Sequence, residues 1–221
     1  MITAERKPLE ELLGYVAPYG KILLLGCNEC VTVCAAGGRK EVGLLASALK
    51  MAARKNGKEV QIVEHTLERQ CDPEYVEEVA GMVGQADAVV SMACGCGVQQ
   101  MAMRYAKPVF PALNTKFMGG SERQGVWDER CAGCGNCLLG VTGGICPIAR
   151  CAKRLMNGPC GGSANGVCEI TPDVPCAWHL IWERLEELGQ TDQYMPIIPA
   201  KDWTTAQGGG PRKIIREDLA A

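Results

Sequence analysis

The residues best able to do chemistry in this 221-residue chain are its 14 cysteines. Eight of them fall between Cys131 and Cys176, a density found in disulfide scaffolds and metal-cluster modules. This group opens as Cys131-x2-Cys134-x2-Cys137 and resumes, after eight intervening residues, at Cys146-Pro147. Cys151, Cys160, Cys168 and Cys176 follow. Two-residue gaps let the backbone turn each thiolate back towards one centre. Three cysteines so spaced wrap one face of an iron–sulfur cubane, and the fourth ligand comes from elsewhere in the chain. The bacterial ferredoxin run closes with three residues before its last Cys-Pro. Here the longer LLGVTGGI stands in that place, so the pattern is a variant. Eight thiolates suffice for two clusters of four ligands each. Gly133, Gly135, Gly143, Gly144, Gly158, Gly161 and Gly162 lie among them and permit sharp turns. C-x2-C is also a zinc-ribbon spacing, but zinc usually takes two such pairs across a long loop. Iron–sulfur is therefore expected, with zinc at one or more sites as the alternative.

A second group sits in the first half. Cys27, Cys30 and Cys34 (GCNECVTVC) follow an apolar run, Cys71 closes the segment after the next strand-like run, and Cys94 and Cys96 (ACGCG) follow the third. All lie where parallel strands would end at their carboxyl edges, the usual place for a site in an open α/β sheet. The expected set is Cys27, Cys30 and Cys34 with one of Cys71, Cys94 and Cys96.

The elements that must position these thiols can be read from periodicity. Helical spacing of Leu9, Leu12, Leu13 and Val16 predicts a helix over Pro8 to Tyr19, and KILLLG over Lys21–Gly26 reads as a buried strand. Further helices are expected over Glu41–Lys55, from Asp72-Pro73 to about Val83, and over Val98–Tyr105. Further strands are expected at Glu59–Glu64, Asp87–Met92 and Pro108–Phe110. This alternation predicts a doubly wound parallel α/β domain over residues 1–120. Beyond Gly119-Gly120 the hydrophobic periodicity disappears, so residues 121–189 are expected to be loop-dominated and ordered by metal. An amphipathic helix over Ala177–Leu188 closes that segment. Residues 190–221, with Pro196, Pro199, Gly208–Gly210 and Pro211, read as an extended arm that packs on the body or on a partner.

Other functions lack material. The formal net charge of -2 argues against nucleic-acid binding, and 5% aromatics against a base-stacking platform. No run of about 18 apolar residues exists to span a membrane, and the charged N-terminus has no signal-peptide core. A cytoplasmic protein in a reducing compartment is expected, which disfavours disulfides. Gly26 is followed by Cys27-Asn28-Glu29-Cys30 and not by a dinucleotide fingerprint; no Walker A loop is present, and two histidines leave little for a triad. His179 beside Trp178 reads as a helix-surface or packed residue. Arg150, Lys153 and Arg154, amid the second cysteine set, either offset the charge of a thiolate-bound cluster or form a solvated face.

The string CAGCGNCLLGVTGGICPIARCAKRLMNGPCGGSANGVCEI, followed by PCAWHLIWERL, resembles the cysteine-rich segment of MetV-type small subunits of methylenetetrahydrofolate reductase from acetogenic bacteria. That domain also occurs fused to the C-terminus of some folate reductases. GCNECVTVCAAGGRKEVGLLASALK, TLERQCDPEYVE, ACGCGVQ and VFPALNTKFMGG are similar to the same family, so the resemblance runs from about Lys21 to Leu188. It implies a partner, the MetF-type flavoprotein that binds FMN and methylenetetrahydrofolate. It implies a non-catalytic subunit with two to three 4Fe–4S clusters. That subunit relays electrons between a donor, ferredoxin or a NADH-oxidising subunit, and the partner's FMN. The reaction served is reduction of 5,10-methylenetetrahydrofolate to 5-methyltetrahydrofolate in the methyl branch of the Wood–Ljungdahl pathway. Relatives are expected to carry an apolar residue where this chain has Cys96. The resemblance therefore favours Cys71 or Cys94 as the fourth ligand of the first site.

Overall fold

The computed structural model describes residues 1–218, and the last three residues of the expected arm lie outside the described residues. The chain divides into two units, Met1–Trp127 and the residues from Asp128 onward. The expectation from composition put that division near residue 120.

The first unit runs β1 (Ile2–Arg6), α1 (Leu9–Val16), β2 (Lys21–Cys27), α2 (Cys30–Val33), α3 (Arg39–Lys55), β3 (Gln61–Leu67), α4 (Pro73–Glu77), α5 (Ala80–Gln85), β4 (Ala88–Ser91), α6 (Gly95–Arg104), β5 (Val109–Pro111) and β6 (Leu113–Arg123). β7 (Val126–Cys131) carries the chain across the division.

Four strands form a parallel sheet in the order β3-β2-β4-β5. β2 is buried along all but its first residue, which is why KILLLGC reads as an unbroken apolar run. Ile22 and Leu24 pack with Leu12 and Val16 of α1 and Val42, Ala46 and Leu49 of α3. Leu23 and Leu25 face the other way, onto Val76, Val79, Val83 and Met101. Alternate residues of one strand thus serve two cores, and each such side chain contributes roughly 1.5–3 kcal/mol on burial. The sheet is doubly wound, as the alternation predicts.

Polar side chains fix the strand ends. At the amino ends, Asp87 Oδ2 accepts from the backbone N–H groups of Gly20 at 3.0 Å and Lys21 at 2.7 Å. At the carboxyl ends, the fully buried Gln70 donates Nε2–H to the carbonyls of Leu25 and Gly26, both at 2.8 Å. Its carbonyl accepts from Ser91 Oγ at 2.7 Å. Gln70 therefore ties β2 to β4 where the strand order reverses, the switch point at which open α/β sheets bind ligands.

Three features differ from expectation. β3 begins at Gln61 and ends at Leu67, because its parallel register with β2 runs on to Cys27↔Leu67. The single helix expected from Asp72 is two, α4 and α5; the cap forms as predicted, with Asp72 Oδ1 accepting from Glu74 N–H at 3.2 Å. A second sheet, β1-β6-β7, was not expected. β1 pairs antiparallel with β6, and a two-residue link through Gly125, at φ 87°, joins β6 to β7. Most residues of β6 are exposed, so it carries little of the apolar alternation by which strands are read.

The second unit is mostly irregular, with α7 (Pro147–Arg150) and α8 (Ala177–Glu187) its only α-helices among the described residues. Its core is small: Cys176, Trp178, Ile181 and Leu185, flanked by Ile145, Leu155, Tyr194 and Ile198. Trp178 Nε1–H donates to Leu155 O at 2.9 Å, and the rings of Trp178 and Trp182 meet Tyr194 edge-on. The arm packs on the body, one of the two outcomes expected for it, and folds back over its own unit. Asn157 exchanges two hydrogen bonds with the Ile198 backbone, at 2.7 and 2.9 Å. Further on, Lys201 Nζ donates to Asn136 O at 2.7 Å, Thr205 Oγ1 to Cys134 O at 2.9 Å and Arg212 to Gly133 O at 2.6 Å. Gly135 is at φ 80°, and a Cβ there would stand 2.4 Å from Thr205 O, so the strap requires glycine at that position.

Candidate metal centres

In the first unit the thiols gather at the carboxyl ends of β2, β3 and β4. Cys27 is the last residue of β2, Cys71 follows β3 and Gln70, Cys94 caps α6, and Cys96 lies in its first turn. Burial pushes the Cys27 thiol above the usual range, with the neighbouring Cys94 and Cys71 adding to the rise. Burial likewise raises Cys71, helped by Cys94 and Cys96 and opposed by Arg69. It also raises Cys96, which is hydrogen-bonded to Cys94 and feels Cys30 as well. Cys27, Cys30, Cys71, Cys94 and Cys96 are therefore electrostatic neighbours. Arg69 is the cation beside them, held between Glu29 and Asp72 at 3.5 Å from each.

Cys34 shares a small core with Cys27, and Cys94 packs against that core. Cys34 lies just past the single turn of α2, where the chain reverses through Ala35 at φ 52°. Its Sγ donates to Ala4 O at 3.6 Å and to Val31 O at 3.7 Å, within a small core that includes Ala4, Val31 and Leu113. The spacing of Cys27, Cys30 and Cys34 suggested one shared site. The structure gathers Cys27, Cys30, Cys71, Cys94 and Cys96, with Cys34 in the same small core as Cys27 and its Sγ on backbone carbonyls. The mark that distinguishes Cys96 is its position one residue into α6, beside the Cys94 cap.

In the second unit, Cys151, Cys160, Cys168 and Cys176 line one small cavity together with Arg150, Lys153, Ser163, Glu169 and Trp178. Burial opposes ionisation of Cys176, but hydrogen bonds from Ser163 and from the backbone N–H groups of His179 and Trp178 outweigh it and lower its pKa. Two of those donors belong to the first turn of α8, whose N-cap is Cys176 itself. Cys160 Sγ donates to Glu169 Oε2 at 3.2 Å, and Lys153 Nζ reaches the same oxygen at 2.6 Å.

Cys131, Cys134 and Cys137 form a separate loop. Gly133 N–H donates to Cys131 Sγ at 3.4 Å, and Cys134 Sγ donates to Asn136 O at 3.6 Å. Cys146 is the N-cap of α7. The arm's three donors hold the carbonyls of Gly133, Cys134 and Asn136, inside this loop. The exposed His179 side chain faces Glu183 at 3.2 Å, in keeping with its reading as a helix-surface residue.

Among the described residues, no three Cys, His, Asp or Glu side chains converge on a point as a single bound ion demands. In the second unit the four thiols line one cavity together with Ser163 and Glu169, a sulfur-rich lining of the kind that a thiolate-bound cluster takes.

The segment that holds these eight cysteines also has a counterpart elsewhere. Residues 110–204 match the family described as methylene-tetrahydrofolate reductase C terminal. Over that stretch, less than half of the chain, the sequence is similar to that family. No curated protein and no solved structure matches the chain. The reductase C-terminal stretch includes the whole run from Cys131 to Cys176, and Lys201 of the strap as well. Thr205, Arg212 and the thiols of the first unit lie outside it. No described helix is long and apolar enough to cross a membrane.

Proposed function

We propose that this chain is the MetV-type iron–sulfur subunit of a methylenetetrahydrofolate reductase complex. It passes electrons from a donor to the FMN of a MetF-type flavoprotein partner, which reduces 5,10-methylenetetrahydrofolate. The observation that carries this reading is the cavity lined by four thiols, Cys151, Cys160, Cys168 and Cys176, within residues 110–204.

Clusters held at these thiols would supply one-electron transfer at a potential set by charge, burial and hydrogen bonds to sulfur. The chain's own residues do the rest. The first turn of α8 stabilises the Cys176 thiolate, Gln70 fixes the strand ends that carry Cys27, Cys71 and Cys94, and the strap holds the Cys131 loop closed. Cysteines dominate both sites, and in this reading the substrate chemistry belongs to the partner.

The test is iron, zinc and acid-labile sulfide per chain in anaerobically purified protein, with an EPR spectrum after dithionite reduction. Roughly eight to twelve irons, enough for two to three four-iron clusters, with matching sulfide and a reduced-cluster signal, are expected. Stoichiometric zinc without sulfide would refute the relay and leave a zinc-stapled docking subunit.

A further inference from the structure

We propose that Cys151, Cys160, Cys168 and Cys176 hold one centre by themselves, and that Lys153 is the positioning residue that balances its charge. This rests on the electron-transfer reading above and deepens it by assigning the ligands and the tuning group.

Spacing alone does not reveal this set, because its gaps are long. Backbone hydrogen bonds close them. Ser163 N–H donates to Cys160 O at 3.2 Å, Cys168 N–H to Val174 O at 3.1 Å, and Cys176 N–H to Gly166 O at 2.7 Å. Bridges pair Val167 with both Ala164 and Pro175. Cys151 joins from the end of α7, where Arg154 turns the chain at φ 52° and donates its N–H to Cys151 O at 2.8 Å. No other cysteine lines the cavity. Of the eight thiols in the unit this leaves the three of the Cys131 loop and Cys146. Arg150, at the end of the helix that Cys146 caps, bonds Asp128 at 2.8 Å on the strand that ends in Cys131. Cys146 is thereby the fourth ligand of the other centre.

Four thiolates are a concentrated negative charge, and Glu169 adds to it at 3.2 Å from Cys160 Sγ. Gly162 makes room for that carboxylate, since a Cβ there would lie 1.9 Å from Glu169 Oε2. Two cations line the cavity, and Arg150 is already bound to Asp128. Lys153 remains, on Glu169 and beside Cys160. A positive charge there favours the more negative, reduced state and raises the potential of the centre.

The test uses the full chain, purified anaerobically. Cys160→Ala is expected to remove one centre's iron and sulfide and one reduced-state EPR signal. Cys134→Ala is expected to remove a different signal. Lys153→Met is expected to leave metal content unchanged and to shift the oxidised-to-reduced ratio of the Cys160-dependent signal about tenfold towards oxidised, ~59 mV for one electron. Lys153→Arg should restore the midpoint. Loss of the same signal in both cysteine variants would overturn the ligand assignment. An unmoved midpoint in Lys153→Met would overturn the charge assignment. Wild-type protein with zinc but no iron or sulfide would overturn the electron-transfer reading itself, and the Lys153 role with it.

Discussion

Gln70 is the residue on which the first thiol site depends without contributing a ligand. Gln70→Leu keeps most of its volume and removes three hydrogen bonds, to Leu25 O, Gly26 O and Ser91 Oγ. Leu25 O retains its bond from Met92 N–H at 2.8 Å, so the loss is of partners more than of all satisfaction. At about 1 kcal/mol for each bond, the expected cost is about 3 kcal/mol. A single melting curve would mix the two units, so the assay is native-state amide exchange at β2 and β4. A loss of about 3 kcal/mol should speed exchange there about 100-fold. Ser91→Ala alone should cost less, and the double variant should fall short of the sum by about 1 kcal/mol, the worth of the shared bond. Exchange accelerated less than about fivefold, or strict additivity, would refute the argument that Gln70 clamps the switch point.

Three further perturbations test other parts of the structure. Gly37→Ala places a Cβ 1.9 Å from the backbone carbonyl of Met92, which cannot swing aside, so soluble expression or amide protection of β4 should fall sharply; wild-type protection would refute the packing. In metal-free protein, Cys27, Cys71 and Cys96 ionise above the ordinary thiol value of 9.0, so the folded state binds more protons than the unfolded one. Stability of the first unit should therefore fall as pH rises past that value, and Cys94→Ala should lower the thiolate absorbance midpoint; an unchanged midpoint would count against the clustering. Removing the residues from Lys201 onward deletes three exposed donors worth about 2 kcal/mol together, so metal at the Cys131 loop should pass to a chelator more than tenfold faster while the Cys160 centre is unaffected. Equal chelation rates would refute the fastening.

The sequence displayed what is periodic or repeated. β2 and its flanking helices were legible because Ile22 and Leu24 serve one core and Leu23 and Leu25 the other, giving a run with no other reading. The thiols of both units were legible as groups. Their grouping in space was not, because ligand sets depend on where turns aim the side chains. Cys151, Cys160, Cys168 and Cys176 line one cavity although long gaps separate them in sequence. β6 and β1 escaped notice because a sheet with few buried side chains leaves almost no apolar alternation. The strap escaped because its contacts go to backbone carbonyls, which every residue has and no composition marks.

That strap also imposes an order on assembly. Arg212 lies 79 residues after the Gly133 carbonyl it holds, so the donors that fasten the Cys131 loop are translated only after every cysteine of the unit. A nascent chain therefore presents all eight thiols while the loop is still unfastened, and a delivery protein would find its opening then. Once Lys201, Thr205 and Arg212 have docked, the same hydrogen bonds slow both entry and escape. A chain that misses that window would have to loosen its own strap to be repaired.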